Sequence, residues 1–329
     1  MFIEGAKVNE EFNFDEIDEK VKFINENKKN YEETIRELNT RIDVDYVKAS
    51  EFIEGNTLEG FDKVDLDDKT KILRGYQPFI MDIVDGEAKF EFLKQNKYDP
   101  DNGCLIIMKK GDGKVFDYKT FVCKVPKHLS AVGFALSRAR QDRNVYQKTG
   151  KMPNLDSKFI EEINARFFEK TEHKGEPGYG SFRRVYFKDG NWVLPDVYIE
   201  GLPLKLIRCE QVPDEMENLL NWYNNCNIHP VLKAVIFKAR FIKIHPFCDG
   251  NGRTSRIILN NMLVRYGYPT ITVSGSDKHI YLQAQDKAMM DNDYTDLIKL
   301  IMKYLNQRCD KYIEVINEQK SHDEEIERI

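Results

Sequence analysis

Two apolar runs, 231–244 and 257–264, flank a short polar segment, and this arrangement constrains the chain more than any other feature. The segment, residues 245–256, reads His-Pro-Phe-Cys-Asp-Gly-Asn-Gly-Arg-Thr-Ser-Arg. The pattern predicts two core helices joined by a loop that opens onto the N-terminus of the second. Gly250 and Gly252 permit backbone angles that a Cβ resists. Such a turn points successive N–H groups into one concavity, and the helix start adds its positive end, so the loop attracts anions. Arg253 and Arg256, three residues apart, share a helix face. Arginines facing a positive dipole end point to a bound polyanion, and their planar forks suit phosphate oxygens. Asp249 is a hard oxygen donor, suited to magnesium shared with phosphates. His245 titrates near neutrality and can take a proton from a hydroxyl. A lone Gly-x-Gly would be an ordinary capped turn; the whole set points to phosphate-ester chemistry on a nucleotide.

The rest of the chain reads as a folded enzyme of the cytoplasm. Its 329 residues suffice for one large or two modest domains. Hydrophobic residues make up 41% and charged residues 32%, ordinary for a chain with a packed core. A net charge of −5 gives no electrostatic footprint for nucleic acid. No apolar run reaches the length of a membrane span, and residues 1–5 lack the basic-then-apolar pattern of a signal peptide. The six cysteines, Cys104, Cys123, Cys209, Cys226, Cys248 and Cys309, are scattered without a CxxC pair, which predicts free thiols and no structural zinc.

Periodicity predicts a mainly α fold with four segments. Residues 1–56 form an N-terminal helical region, with helices expected over 12–27, 31–38 and 44–54. Residues 57–127 form a small β-rich insert of unassigned role, with strands expected over 79–84, 104–108 and 115–122 between Asp/Gly-rich turns. Residues 128–305 form the catalytic domain, with its core over about 150–305 and helices over 129–147, from about 154, and over 219–223, 231–244, 254–266, 281–290 and 294–305. Asn154 or Asp156 is positioned to cap the second of these. Residues 306–329 read as a charged, solvated tail.

The 245–256 segment resembles the signature of the Fic family, HxFx(D/E)GNGRxxR, at every defined position. His229-Pro230 before the first apolar run and Gly267-Tyr268-Pro269 after the second are similar to family members as well. The resemblance implies a Fic-type helical bundle with a β-hairpin flap, and an enzyme that transfers AMP from ATP to a Ser, Thr or Tyr hydroxyl of a protein. It implies His245 as the general base, Asp249 as the magnesium ligand, and the backbone of Gly250, Asn251 and Gly252 as the anion hole. Arg253 and Arg256 would bind the β- and γ-phosphates. Phe247 would anchor the loop, and Cys248 fills a variable position. Tyr281 aligns with an aromatic that borders the adenine in relatives. Asn260 and Asn261, one to two turns beyond the motif, read either as nucleotide-facing or as plain surface.

A second element gains meaning from the first. Ser50, Glu54 and Gly55 match the family's inhibitory motif (S/T)xxxE(G/N) in its N-terminal form. Ser50 and Glu54, four apart, share a helix face, and Gly55 suits the position after the helix end. The resemblance implies that Glu54 pairs with Arg256 through two parallel bonds and withholds it from the γ-phosphate. The same carboxylate could instead position water for the reverse reaction, removal of AMP. On the target side, a β-like run with Val197, Tyr198 and Ile199 is similar to the family flap, which docks a target by strand addition. Gly180-Ser-Phe-Arg183 resembles the GxxR element before that flap. The spacing departs from the family pattern, because Lys188-Asp-Gly-Asn-Trp192 intervenes. The implied partners are ATP, magnesium and a protein bearing the hydroxyl, with self-modification and a homodimer as further implications. The alternatives left open are other nucleotidyl or phosphoryl transfer, hydrolysis of small phosphoesters, and a non-catalytic nucleotide-binding regulator.

Overall fold

The computed structural model describes residues 7–8, 11–54, 79–84, 87–92, 106–110, 115–117, 119–169, 171, 173–195, 197–199, 204 and 206–326. At its centre lie two helices, α6 (Pro230–Ile244) and α7 (Asn251–Arg265), which pack against each other. Both are buried almost all round. Val231, Ala234, Val235, Phe237 and Phe241 fill α6, and Ile257, Ile258, Met262 and Leu263 fill α7. A helix apolar on every side must be enclosed by others. Here α3 (Lys119–Thr149), α4 (Ser157–Phe168), α5 (Val212–Asn225) and α8 (Lys278–Asp291) surround the pair. Asp156 caps α4, its carboxylate accepting from the Phe159 N–H at 2.8 Å.

Asn260 and Asn261 are neither surface nor nucleotide-facing. Asn260 exchanges hydrogen bonds with the Ile271 backbone at 2.8 and 3.0 Å, and Asn261 donates to the Ala135 carbonyl at 2.7 Å. They stitch α7 to its neighbours. Buried Arg265 pairs with Asp142 at 3.1 Å, tying α7 to α3 again.

The N-terminal region wraps the far side of this bundle. Helix α1 (Asp15–Asn27) buries Ile17, Val21 and Ile24, a single stripe, against α9 (Thr295–Ile326). Helix α2 (Glu32–Ile53) is one continuous element where two were expected. Asn39, Thr40 and Asp43 are poor helix formers, but Leu38, Ile42, Tyr46 and Val47 lie on one buried face, so tertiary burial overrides propensity. The expected solvated tail is also revised. Helix α9 runs on through it, with Cys309, Tyr312 and Ile316 buried, because apolar positions recur at helical spacing among its charges. Lys20 of α1 pairs with Asp310 at 2.7 Å.

In the insert, β1 (Phe79–Val84) pairs antiparallel with β2 (Glu87–Phe92) and parallel with β3 (Ile106–Lys110), and β3 pairs antiparallel with β4 (Val115–Asp117). The sheet order is β2-β1-β3-β4. The expected strand over 115–122 stops at Asp117, and α3 starts at Lys119. In so short a run, period alone does not separate strand from helix. The expected turns at 99–103 and 111–114 lie outside the described residues.

A two-stranded hairpin, β5 (Tyr186–Lys188) and β6 (Asn191–Val193), projects from the helical bundle. Its turn is Asp189-Gly190, both at positive φ, 52° and 82°, the geometry that matches strand twist in a two-residue hairpin. The pairing thus falls on the residues read as intervening, while Val197, Tyr198 and Ile199 follow as unpaired chain.

Replacing Ile316 by Ala should lower unfolding free energy by about 2–5 kcal/mol. Glu318→Ala, on the exposed side of the same helix, should change it by no more than about 0.5 kcal/mol. Denaturant unfolding of both variants checks this; equal values would mean that the C-terminal half of α9 is not part of the core.

Candidate active site

The loop between α6 and α7 is shaped by two left-handed residues. His245 ends α6 at φ 53°, and Gly250 precedes α7 at φ 79°. A Cβ on Gly250 would also lie 2.9 Å from Asn164 Nδ2, so the position requires glycine twice over. Between them Phe247 is fully buried, and Asn251 closes the loop on it. Asn251 Oδ1 accepts from the Phe247 N–H at 3.0 Å, and its Nδ2 donates to the Phe247 carbonyl at 2.8 Å. Asn251 is therefore held by its side chain as well as by its place in the first helical turn.

Two buried residues clamp the loop from outside. Asn164, on α4, donates to the Asp249 carbonyl at 3.0 Å and to Thr254 Oγ1 at 3.3 Å, while its Oδ1 accepts from the Gly180 N–H at 2.8 Å. Arg183 donates through Nε to the His245 carbonyl at 2.8 Å and through Nη2 to the carbonyls of Ile207 and Ile244. Its backbone N–H donates to the Pro246 carbonyl at 2.8 Å. Arg183 stood in the sequence as a flap-side element; here it is a strut under His245. Asn164 carried no local signal, since nothing in a helical Asn announces a partner 85 residues away.

His245 Nδ1 lies 3.3 Å from the Ile242 carbonyl, to which its N–H donates. The other nitrogen, Nε2, then carries the lone pair. Burial pulls this imidazole down to about 4; the Ile242 bond opposes that, and the nearby Arg183 charge adds to it. His245 is thus neutral and able to accept a proton at ordinary pH. Half-buried Cys248 donates its N–H to the Gly178 carbonyl at 2.9 Å, and burial raises its thiol pKa.

Asp249 presents a carboxylate that is 56% exposed, 3.3 Å from Arg253 Nη2. Its Oδ1 accepts from the Gly250 N–H at 2.5 Å. Arg253 lies over the Phe167 ring, 4.8 Å from its centroid. Among the described residues no cluster of His, Cys, Asp and Glu could enclose a metal by itself. One accessible carboxylate at the start of α7 fits magnesium, which is commonly held by one or two carboxylates together with substrate phosphates.

Arg256 points into the protein toward α2. Its Nη2 meets Glu54 Oε1 at 2.6 Å and the Ser50 carbonyl at 3.2 Å, and its Nε donates to Ser50 Oγ at 3.0 Å. The expected pair of parallel bonds to one carboxylate is replaced by a grip shared between Glu54 and Ser50. Burial, the largest single influence, would lower the Arg256 pKa, but Glu54, Tyr281 and Tyr46 together raise it by more. For Glu54, burial raises the pKa and Arg256 more than offsets it, so the carboxylate stays ionised. Gly252 leaves the room for this contact, since a Cβ there would lie 2.7 Å from Glu54 Oε1. Gly55 lies outside the described residues.

Tyr281 is placed differently from the adenine-bordering position expected of it. It is only 1% exposed, and the Lys238 ammonium sits 4.4 Å from its ring centroid, so no face is open to stack on a base. Val197 and Ile199 are half-buried and Tyr198 is 83% exposed; the paired hairpin ahead of them exposes Phe187 and Trp192.

Against known proteins, the same stretch of chain stands out. Residues 154–263 match the Fic/DOC family. Over 134 residues the chain is 32% identical to a protein adenylyltransferase Fic of Drosophila grimshawi, covering 41% of this chain and 26% of that protein. Over 108 residues it is 29% identical to a protein of the same name from Nematostella vectensis, covering 31% and 25%. The match thus spans about a quarter of these relatives' length. Among solved structures, a Fic domain containing signaling protein from Bacteroides thetaiotaomicron superposes with a TM-score of 0.59 at 20% identity, over 93% of this chain and 97% of that one. Fic-1 from C. elegans superposes at 0.51 and 16% identity, over 92% and 73%. These two likenesses show a shared fold.

The depressed His245 pKa makes a direct prediction. In an NMR titration its ring should protonate with a midpoint near 4, against 6.5 for a free side chain. The unfolded chain then binds this proton at higher pH than the folded one. The contribution to stability is full above about 6.5 and is lost as pH falls towards 4. A midpoint at or above 6.5 would contradict the buried placement of the ring.

Proposed function

We propose that the protein transfers AMP from ATP to a Ser, Thr or Tyr hydroxyl of a target protein, and that Glu54 restrains this activity by occupying Arg256. The observation that carries the reading is the loop at residues 245–252. It sets a neutral imidazole, with the Nε2 lone pair unprotonated, beside a helix start that carries two arginines, one of them already gripped by a carboxylate. The match of residues 154–263 and the similarity to adenylyltransferases of the Fic type support it.

In this reading ATP lies along the start of α7. The backbone N–H groups of Asn251 and Gly252 face its phosphates, joined by that of Gly250 once it leaves the Asp249 carboxylate; Arg253 takes the β-phosphate side, and Arg256 takes the γ-phosphate once Glu54 has left it. Asp249 would hold magnesium against the phosphates, adding positive charge where the leaving group becomes more negative. His245 Nε2 removes the proton of the target hydroxyl as its oxygen attacks the α-phosphorus. The bond from that phosphorus to the bridging oxygen breaks, and pyrophosphate departs with the electron pair. The hairpin β5–β6 and the chain at Val197, Tyr198 and Ile199 are the docking surface for the target, which would lie against them in extended form. In this proposal residues 128–305 form the catalytic unit, 1–56 carry the restraint and 57–127 stand apart from the chemistry.

Glu54 supports a second reading on the same site. Its carboxylate is ionised, 29% exposed and beside Gly252, a position from which it could orient water for removal of AMP. The two readings share His245 and the anion-binding loop and differ in what Glu54 does.

The test is labelling with ATP tagged on the α-phosphate, in the presence of magnesium. Glu54→Gly should raise labelling by roughly tenfold or more, the size expected when a coupling of a few kcal/mol is removed. Adding His245→Ala should reduce it by about 100-fold or more, the share of a general base. Labelling that is unchanged by Glu54→Gly would refute the restraint. Free AMP without labelled protein in every variant would point to hydrolysis.

A further inference from the structure

Glu51 and His128 are both fully buried, and His128 Nδ1 lies 2.8 Å from Glu51 Oε1. Burial depresses the His128 pKa against the opposing pull of Glu51, so the ring is neutral and its Nδ1–H donates to the carboxylate. Edge-on contacts fix the ring from two sides, with Tyr46 at 5.8 Å and Phe167 at 5.5 Å between centroids. Glu51 sits next to Ser50 on α2, and His128 sits on α3. The proposed transfer reaction has no use for either group.

We propose that the Glu51–His128 pair is the anchor that sets the register of the Glu54 helix against the catalytic loop, making both positioning residues for the restraint. The inference rests on the transferase reading above. Its basis is a closed circuit of buried polar contacts. Arg256 and Asn261 lie on α7, and Asn261 donates to the Ala135 carbonyl of α3 at 2.7 Å. From α3, His128 reaches Glu51 on α2; from α2, Ser50 and Glu54 return to Arg256. Apolar burial is non-directional, so the stripe of Leu38, Ile42, Tyr46 and Val47 holds α2 in place without choosing its register. A buried hydrogen bond to a carboxylate does choose, because leaving it unmade strands a charge away from water. A slip of α2 by one turn moves Glu54 by about 5.4 Å, far beyond the reach of the pair with Arg256. Phe167 ties the anchor to the phosphate side as well, since it contacts the His128 ring and carries the Arg253 guanidinium on its face.

The experiment replaces both members at once, Glu51→Leu with His128→Phe, so that neither member of the pair is left facing a buried polar partner from the other. Glu51→Gln keeps an acceptor for His128 and is the conservative control. Amide hydrogen exchange over residues 44–53 should quicken roughly tenfold in the double variant, with α7 unchanged and Glu51→Gln close to the parent. Labelling should rise roughly fivefold when Glu54 is present and not at all when Glu54→Gly is added, because the anchor acts only through Glu54. Unaltered exchange in α2 would overturn the anchor. So would labelling that changes by the same factor with and without Glu54→Gly, which marks a general structural role. Absence of label even in Glu54→Gly would instead remove the transferase reading, and the exchange result would still decide whether the pair anchors α2.

Discussion

A guanidinium keeps its charge at any pH a protein meets, so a buried arginine must find an anion or an array of acceptors. Arg256 satisfies that requirement with residues from outside the central bundle. Ser50 supplies a hydroxyl and a carbonyl, and Glu54 supplies the charge. Much of the remaining architecture serves this contact. Helix α1 docks on α9, α9 in turn packs against α2, and the end of α2 carries the two residues that hold the arginine. A phosphate is the other partner a guanidinium accepts equally well, and it would compete for the same hydrogen-bond directions. In the proposed reaction carboxylate and phosphate would be two alternative fillings of one pocket. Glycine at position 252 leaves room for the carboxylate, on which any Cβ would intrude.

The loop at residues 245–252 is rigid for a different reason. Its backbone is fixed by side chains that come from every side: Asn251 from within, Asn164 from α4, and Arg183 from the segment leading to the hairpin. Each satisfies carbonyls or N–H groups that a non-repeating loop would otherwise leave unpaired in a buried setting. The result is a base and an anion-binding helix start whose separation does not depend on the flexible surface. Arg183 also joins chemistry to docking. It lies three residues before β5, so the strut beneath His245 and the hairpin belong to one stretch of chain.

The loop was legible in the sequence because its parts are consecutive. A base, a carboxylate, two glycines and two arginines within twelve residues leave few other physical uses. The helices flanking it were legible for the same reason: runs dominated by apolar residues need burial whatever surrounds them. What escaped was non-local. Asn164, Glu51 and His128 look like ordinary helical residues until the fold brings their partners near. Tyr281, assigned by position, is buried between the Lys238 ammonium and the Arg256 guanidinium. The hairpin was misplaced for a more instructive reason. Asp189-Gly190 is the strongest turn signal in that region, but the β-branched run after it drew the strand assignment instead. Turn chemistry specifies a backbone shape, whereas a Val-Tyr-Ile run only permits one.

The division of labour between the two ends of the chain follows from this contrast. The phosphate loop is held by contacts among residues 164–256, all inside one bundle, and needs no help from α2 to keep its shape. The grip on Arg256 joins two helices, α2 and α7, across more than two hundred residues of sequence separation. Long-range contacts of that kind are the ones a bound partner or a modified surface can shift without disturbing the loop. A carboxylate leaving Arg256 would vacate a buried site still lined by Ser50, Tyr46 and Tyr281, and the guanidinium would remain there in search of an anion. Under the proposed reaction, an Arg256 freed from Glu54 would take a phosphate in its place, so restraint and substrate binding would be two states of the same buried charge.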